Sequence, residues 1–167
     1  MDNARSAVTA ITELTKQGMK VSDDDIRKGL AKTKCPCRFE YREGRFPMVV
    51  DGAQNEQAAE ALEKTVRELL PGRKIVLIAG IMKNRDADGI ARNLGFAHMA
   101  FTVKPDPVMG MDAWDFADYL KLYVGRVTPA DTAEEAVKLA RKAAREHDGI
   151  LLVTGSLELC GAVKKLL

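Results

Sequence analysis

Phe46-Pro47-Met48-Val49-Val50-Asp51-Gly52-Ala53-Gln54-Asn55 is the stretch on which the fold turns. An apolar run climbs to Asp51 and breaks there. Gly52 permits a tight turn, and a helical pattern begins at Asn55. Strand, turn and helix in that order put Asp51 at the carboxyl end of a strand, where open α/β sheets bind ligands. The unpaired N–H groups of the helix start point into the same crevice.

Working outward, Phe39-Glu40-Tyr41 alternates and Glu43-Gly44 turns, so this segment and Phe46–Val50 read as a hairpin. Asn55 to Leu70 reads as a helix with Ala58, Leu62, Val66 and Leu69 inward, ended by Pro71-Gly72. Ile75-Val76-Leu77-Ile78-Ala79 is apolar on both faces, as a central parallel strand requires. A short helix from Asp86 to Leu94, a strand at Ala100–Val103 and a helix from Asp112 to Tyr123 follow, the last with Phe116, Ala117 and Leu120 inward. Arg126–Thr128 is a short strand. Thr132-Ala133-Glu134-Glu135 opens a helix through Ala136, Val137, Ala140, Ala143 and Ala144 that stops at Asp148-Gly149. Ile150–Val153 is a last buried strand, and Ser156 to Leu167 a last helix. Strands alternating with helices predict an α/β fold: a three-layer, Rossmann-like domain with a mostly parallel sheet.

Upstream the pattern differs. Ala4, Ala7, Val8, Ile11 and Leu14 recur at helical spacing, with Gly18 as the stop. Ser22-Asp23-Asp24-Asp25 caps a second, short helix whose buried side is Ile26 and Leu30. Two such helices cannot enclose a core of their own. They read as a helical tail, residues 1–34, joined through the breaker-rich Lys32–Cys37 segment to a main domain, residues 35–167.

Composition bounds the function. The 167 residues carry a formal net charge of +2 with both signs interspersed, and no Lys/Arg stripe alternates with aromatics, which argues against nucleic acid. No apolar run reaches the length of a membrane helix, and Met-Asp-Asn does not start like a signal peptide, so a cytoplasmic protein is expected. Cys35-Pro36-Cys37 is not CxxC, Cys160 stands apart, and His98 and His147 are isolated; reduced thiols and no metal site are expected.

Four predicted strand ends gather at one edge: Asp51–Asn55, Gly80–Asp86, Lys104-Pro105-Asp106 and Thr154-Gly155-Ser156. Carboxylates, cations, hydroxyls and helix-start amides together suit a phosphate or carboxylate ligand. Each also has an ordinary explanation. Capping accounts for Asp51, Thr154 and Ser156, a solvated loop for Lys83, Arg85 and Asp86, and a surface position for Arg38. Trp114 and Tyr119 read as packing or surface residues. Neither G-x-x-x-x-G-K-[ST] nor a helix-opening G-x-G-x-x-G occurs, so the chain carries no complete phosphate-binding loop.

Pro36-Cys37-Arg38-Phe39-Glu40, Val49-Val50-Asp51-Gly52-Ala53-Gln54-Asn55, Gly80 through Asp86, and Val153-Thr154-Gly155-Ser156-Leu157 with Gly161 resemble, in order, the C-terminal third of folylpolyglutamate synthase. That family is related to dihydrofolate synthase and the Mur ligases. The first two helices resemble the end of its central ATPase domain. The resemblance implies a ligase in which ATP phosphorylates a folate carboxyl and the amino group of glutamate displaces phosphate. It implies magnesium and a P-loop in a central domain outside this chain, and a C-terminal domain that closes over the nucleotide.

By position, the resemblance makes Arg38 and Asp51 nucleotide-binding candidates. It makes Gln54, Asn55, Lys83, Arg85, Asp86, Thr154 and Ser156 substrate-binding candidates, with no certain catalytic residue and no metal ligand. Arg85-Asp86 stands where the family has Lys-Asp. Gln54 replaces the histidine of Asp-Gly-Ala-His-Asn and cannot become a cation near neutral pH. Cys37 replaces a glycine, adding a Cβ where the family has backbone freedom. The glutamine keeps another Mur-type amide ligase open, and a stand-alone α/β ligand-binding module is the reading from a different class. Under the ligase reading the fragment is inactive alone. Its first two helices then expose apolar faces suited to self-association.

Overall fold

The computed structural model describes residues 2–44 and 46–166. Met1, Arg45 and Leu167, the last of which ends the predicted final helix, lie outside the described residues. The chain divides into two compact units, Met1–Pro36 and Cys37–Leu167.

The first unit holds α1 (Asp2–Lys16) and α2 (Asp23–Lys32). Ser22 and Asp25 form a reciprocal capping box: the Asp25 N–H donates to Ser22 Oγ at 3.2 Å, and the Ser22 N–H donates to Asp25 Oδ2 at 3.1 Å. No residue of α2 is buried, and Leu30, expected on the inward side, is 41% exposed. A helix pair of this size offers too little partner surface to cover its apolar side chains.

The second unit is a six-stranded sheet ordered β1-β2-β6-β3-β4-β5. Its strands are β1 (Glu40–Arg42), β2 (Met48–Val50), β3 (Ile75–Ala79), β4 (Met99–Val103), β5 (Val127–Ala130) and β6 (Ile150–Thr154). Only β1 runs antiparallel, paired with β2 as the predicted hairpin. Its helices are α3 (Glu56–Leu69), α4 (Ala87–Asn93), α5 (Ala113–Leu120), α6 (Ala133–His147) and α7 (Leu157–Leu166).

Alternation along the strands builds the three layers. Ile75, Leu77 and Ala79 of β3, with Val49, Ile150 and Leu152, face a core completed by Leu62 and Val66 of α3, Ile90 of α4 and Phe116 and Leu120 of α5. Val76 and Ile78, with Val50, Leu151 and Val153, face Ala136, Val137 and Ala140 of α6 and Leu159 and Val163 of α7. Helices thus cover both faces of the parallel strands, which is why those strands read as continuous apolar runs.

Three details depart from expectation. Leu69 is 62% exposed, and Ala59 takes the inward position instead, with Ala58 only partly buried. A 3.6-residue period drifts, and the last turn of α3 has rotated its face out of the core. α5 ends at Leu120 rather than Tyr123, and β5 extends through Pro129. Proline is tolerated there because β5 is the sheet's edge strand.

Candidate functional site

Parallel register sets the ends of β2, β6, β3 and β4 side by side, so their following loops share one rim. The Asp51 N–H donates to the Val153 carbonyl at 2.9 Å, and the Gly80 N–H to the Thr154 carbonyl at 3.3 Å, so the pairing runs past the strand ends. Gly155, at φ +105°, lies so close to Gly80 that a Cβ there would overlap the Gly80 carbonyl. Two backbones therefore cross at the centre of the rim, where only glycine fits.

Asp51 is buried, and both of its carboxylate oxygens are engaged. Oδ2 accepts the Phe39 N–H at 2.7 Å and Oδ1 accepts the Ala53 N–H at 2.9 Å. Burial pushes its carboxyl above the usual range, against the opposing pull of those two amides and the Arg38 charge. The capping explanation for Asp51 does not hold, because α3 is capped by Asn55, whose Oδ1 accepts the Ala58 N–H at 2.8 Å. Asp51 instead ties the turn after β2 to the segment before β1.

That segment is strained. Cys37 (φ +56°) and Phe39 (φ +43°) both sit in the left-handed region, flanking Arg38. Three bonds hold it: Phe39 N–H to Asp51, Gly52 N–H to the Cys37 carbonyl at 2.7 Å, and Cys37 N–H to Glu40 Oε2 at 3.3 Å. Such conformations persist where the surroundings over-determine them. Glu40 is fixed in turn by Lys164 Nζ at 2.6 Å and by Arg42, and these cations hold its carboxyl down at about 2. Arg38 itself is exposed, so a rigid support presents a solvated guanidinium at the rim. Cys37 is buried with Cys160, whose Sγ donates weakly to the Asp51 carbonyl at 3.5 Å. Burial pushes the Cys160 thiol well up, so it stays protonated and inert.

On the other side of the turn, Arg85 Nη2 donates to Gln54 Oε1 at 3.2 Å, bridging the loops after β2 and β3. The Gln54 carbonyl is thereby occupied and its NH2 group is left as a donor. Arg85 Nε is buried without a hydrogen-bond partner, an orphaned donor beside the rim.

The remaining candidates turn to local partners. Lys83 Nζ donates to the Val108 carbonyl at 2.9 Å. Asp86 caps α4 through the Gly89 N–H at 3.0 Å. Ser156 is fully buried, and its Oγ accepts the Leu159 N–H at 3.1 Å, capping the first turn of α7. Thr154 is fully buried and its Oγ1 has no partner. The structure thus places Arg38, Asp51, Gln54, Arg85 and Ser156 around one rim, with Asn55 and Asp86 employed as caps. Trp114 and Tyr119 lie on the surface.

Sequence reading placed Asp106 at a strand end but passed over the turn that it builds. Asp106 Oδ1 accepts the N–H groups of Val108 and Met109, and these amides hold its carboxyl below the usual range. The turn displays Val108 (72% exposed) and Met109 (54% exposed) beside Lys83. An apolar pair bracketed by Pro107 and Gly110 was the available signal. Among the described residues, no group of three or more His, Cys, Asp or Glu side chains could hold a metal ion, and no helix is long and apolar enough to cross a membrane.

Known proteins share the sequence and fold of this chain. The chain is 33% identical over 148 residues to a folylpolyglutamate synthase of Lacticaseibacillus casei, covering 88% of the chain and 33% of that protein. It is 25% identical over 173 residues to a dihydrofolate synthase/folylpolyglutamate synthase of Bacillus subtilis, covering 99% of the chain and 38% of that protein. The fold superposes on a crystal structure of Mycobacterium tuberculosis folylpolyglutamate synthase complexed with ADP and AMPPCP with a TM-score of 0.83, at 23% identity, over 89% of this chain and 36% of that one. The chain therefore spans about a third of the length of these proteins. The family model described as "Mur ligase, glutamate ligase domain" covers residues 37–157, and the chain belongs to that family.

Proposed function

We propose that this chain is the carboxyl-terminal domain of an ATP-dependent ligase that adds glutamate to a folate through an acyl phosphate. Residues 1–34 are then the helical tail of a preceding central ATPase domain, and the rim is the face that closes against that domain. The observation that carries the reading is the Asp51 anchor. A buried carboxylate accepts the Phe39 N–H at 2.7 Å and so fixes the backbone next to the exposed Arg38.

Each rim group has a role suited to its chemistry. Arg38 neutralises phosphate charge on the nucleotide, a task for a permanently charged fork. Gln54 donates hydrogen bonds to a carboxylate of the incoming amino acid through the NH2 group that Arg85 leaves unused, while the fully buried Ser156 supports the rim by capping α7. Gln54 stays neutral, so it orients substrate and transfers no proton. Lys83 adds a cation at the outer edge. Closure of the rim excludes water from an intermediate that water would hydrolyse. ATP and magnesium are held mainly by the separate P-loop domain. The chain alone is inactive in a cytoplasmic setting, and the apolar sides of α1 and α2 favour self-association when their neighbours are missing.

The test is made in the longer protein that joins this chain to a P-loop domain. ADP release should require both a folate and glutamate. Arg38→Ala should lower kcat/KM for ATP roughly ten- to a hundredfold, the equivalent of about 1.5–3 kcal/mol for one charge-assisted contact. Unchanged ATP kinetics, or amide-bond formation by the 167-residue chain alone, would overturn the proposal.

A further inference from the structure

A second basic site lies away from the rim. α6 begins after the carboxyl end of β5 and runs back, so its later turns approach the amino ends of the strands, where Phe46 precedes β2. There a cleft of about 830 Å³ is lined by Lys138, Arg141, Lys142 and Arg145, with Val137, Leu139 and Leu166 as apolar wall. The four cations fall at i, i+3, i+4 and i+7, one stripe of the helix.

The two arginines are held unusually. The guanidinium carbons of Arg141 and Arg145 lie 5.5 Å and 4.7 Å from the centroid of the same ring, that of Phe46. Two like charges thus share one aromatic ring, and among the described residues neither has an ion pair. Arg141 Nε is buried with no hydrogen-bond partner. The acids in the cleft wall are Glu134 and Glu146, and Glu146 approaches Lys142 at 4.0 Å. Among the described residues that line the cleft, four cations stand against two acids, a surplus of two positive charges.

We propose that this cleft is an anion site for a small organic phosphate monoester. Such a group carries about −1.5 to −2 charge near neutral pH, which matches the surplus, and its oxygens fit the guanidinium fork. A carboxylate would leave half the surplus unmet. The wall of Val137, Leu139 and Leu166 takes the organic part. The site is independent of the ligase reading, since it shares no residue with the rim.

The 167-residue chain would be titrated with phenyl phosphate, inorganic phosphate and phenol at constant ionic strength, following backbone amide resonances. Phenyl phosphate should shift the amides of Lys138 through Glu146 and bind more tightly than inorganic phosphate, while phenol leaves them unmoved. The double variant Arg141→Gln/Arg145→Gln should weaken phenyl phosphate by roughly tenfold or more, as expected for loss of charge-assisted bonds. Arg145→Gln, an exposed position, should weaken it severalfold without disturbing the fold. Arg38→Ala should bind as the parent does. No α6 shifts at millimolar phenyl phosphate would overturn the site. So would shifts that centre on the rim and vanish in Arg38→Ala but persist in the double variant, an outcome that leaves the ligase reading standing.

Discussion

Asp51→Asn is the substitution that most directly probes the rim. The native carboxylate accepts two backbone N–H groups, from Phe39 at 2.7 Å and Ala53 at 2.9 Å. An amide of the same shape has one acceptor oxygen, and its NH2 must then confront one of the two donors. Losing one bond to a charged acceptor and leaving a buried N–H unmet costs about 1.5–3 kcal/mol. Part of that is returned, because burial already disfavours the ionised form of Asp51 and asparagine carries no charge to desolvate. The net destabilisation should be about 2 kcal/mol. With a urea slope of about 2 kcal/mol/M, the unfolding midpoint should fall by about 1 M. Urea unfolding followed by far-ultraviolet circular dichroism gives the midpoint, and hydrogen exchange of the Phe39 and Ala53 amides locates the loss. One of those amides should exchange markedly faster, together with that of the strained Cys37. An unmoved midpoint with unmoved exchange at both amides would refute the anchoring role of Asp51.

Other consequences follow from the same contacts. Glu40, held at about 2 by Lys164 and Arg42, has a folded pKa below its ordinary value. Its contribution is therefore present above the ordinary carboxylate range and is lost as pH falls from about 5 toward 2. Lys164→Met should flatten that acid limb by about 1 kcal/mol after solvent screening, read as a smaller difference in urea midpoint between neutral and acidic buffer. Gln54→His would set an imidazole beside the Arg85 guanidinium. Its pKa, read by NMR titration, should lie below the ordinary value of about 6.5, and a value at or above that would contradict the Arg85 contact. Gly155→Ala should cost more than about 2 kcal/mol, since it adds both a left-handed penalty and an overlap with the Gly80 carbonyl; near-parent thermal stability would show that the crossing can relax. Thr154→Val removes a buried hydroxyl that has no partner, so stability should hold or rise by about 1 kcal/mol, and a clear loss would reveal an unseen hydrogen bond.

Short-range chemistry was legible in the chain itself. The apolar run through Ile75–Ala79, the break after Asp51, the acids after Ser22 and the Thr132 start each depend on residues within a turn or a strand of one another. Their elements follow from period, caps and breakers, and the parallel sheet from their alternation. The three-dimensional packing decided what each rim residue does. Asp51 meets Phe39 across 12 residues, Arg85 meets Gln54 across 31, and Lys164 meets Glu40 across 124. No local pattern encodes such pairs, because they depend on which strand lies beside which and in what register. The same register turned the expected cap at Asp51 into an anchor, left Leu69 in solvent and put two arginines over Phe46. Propensity acts through neighbours along the chain, whereas a site is made by neighbours in space.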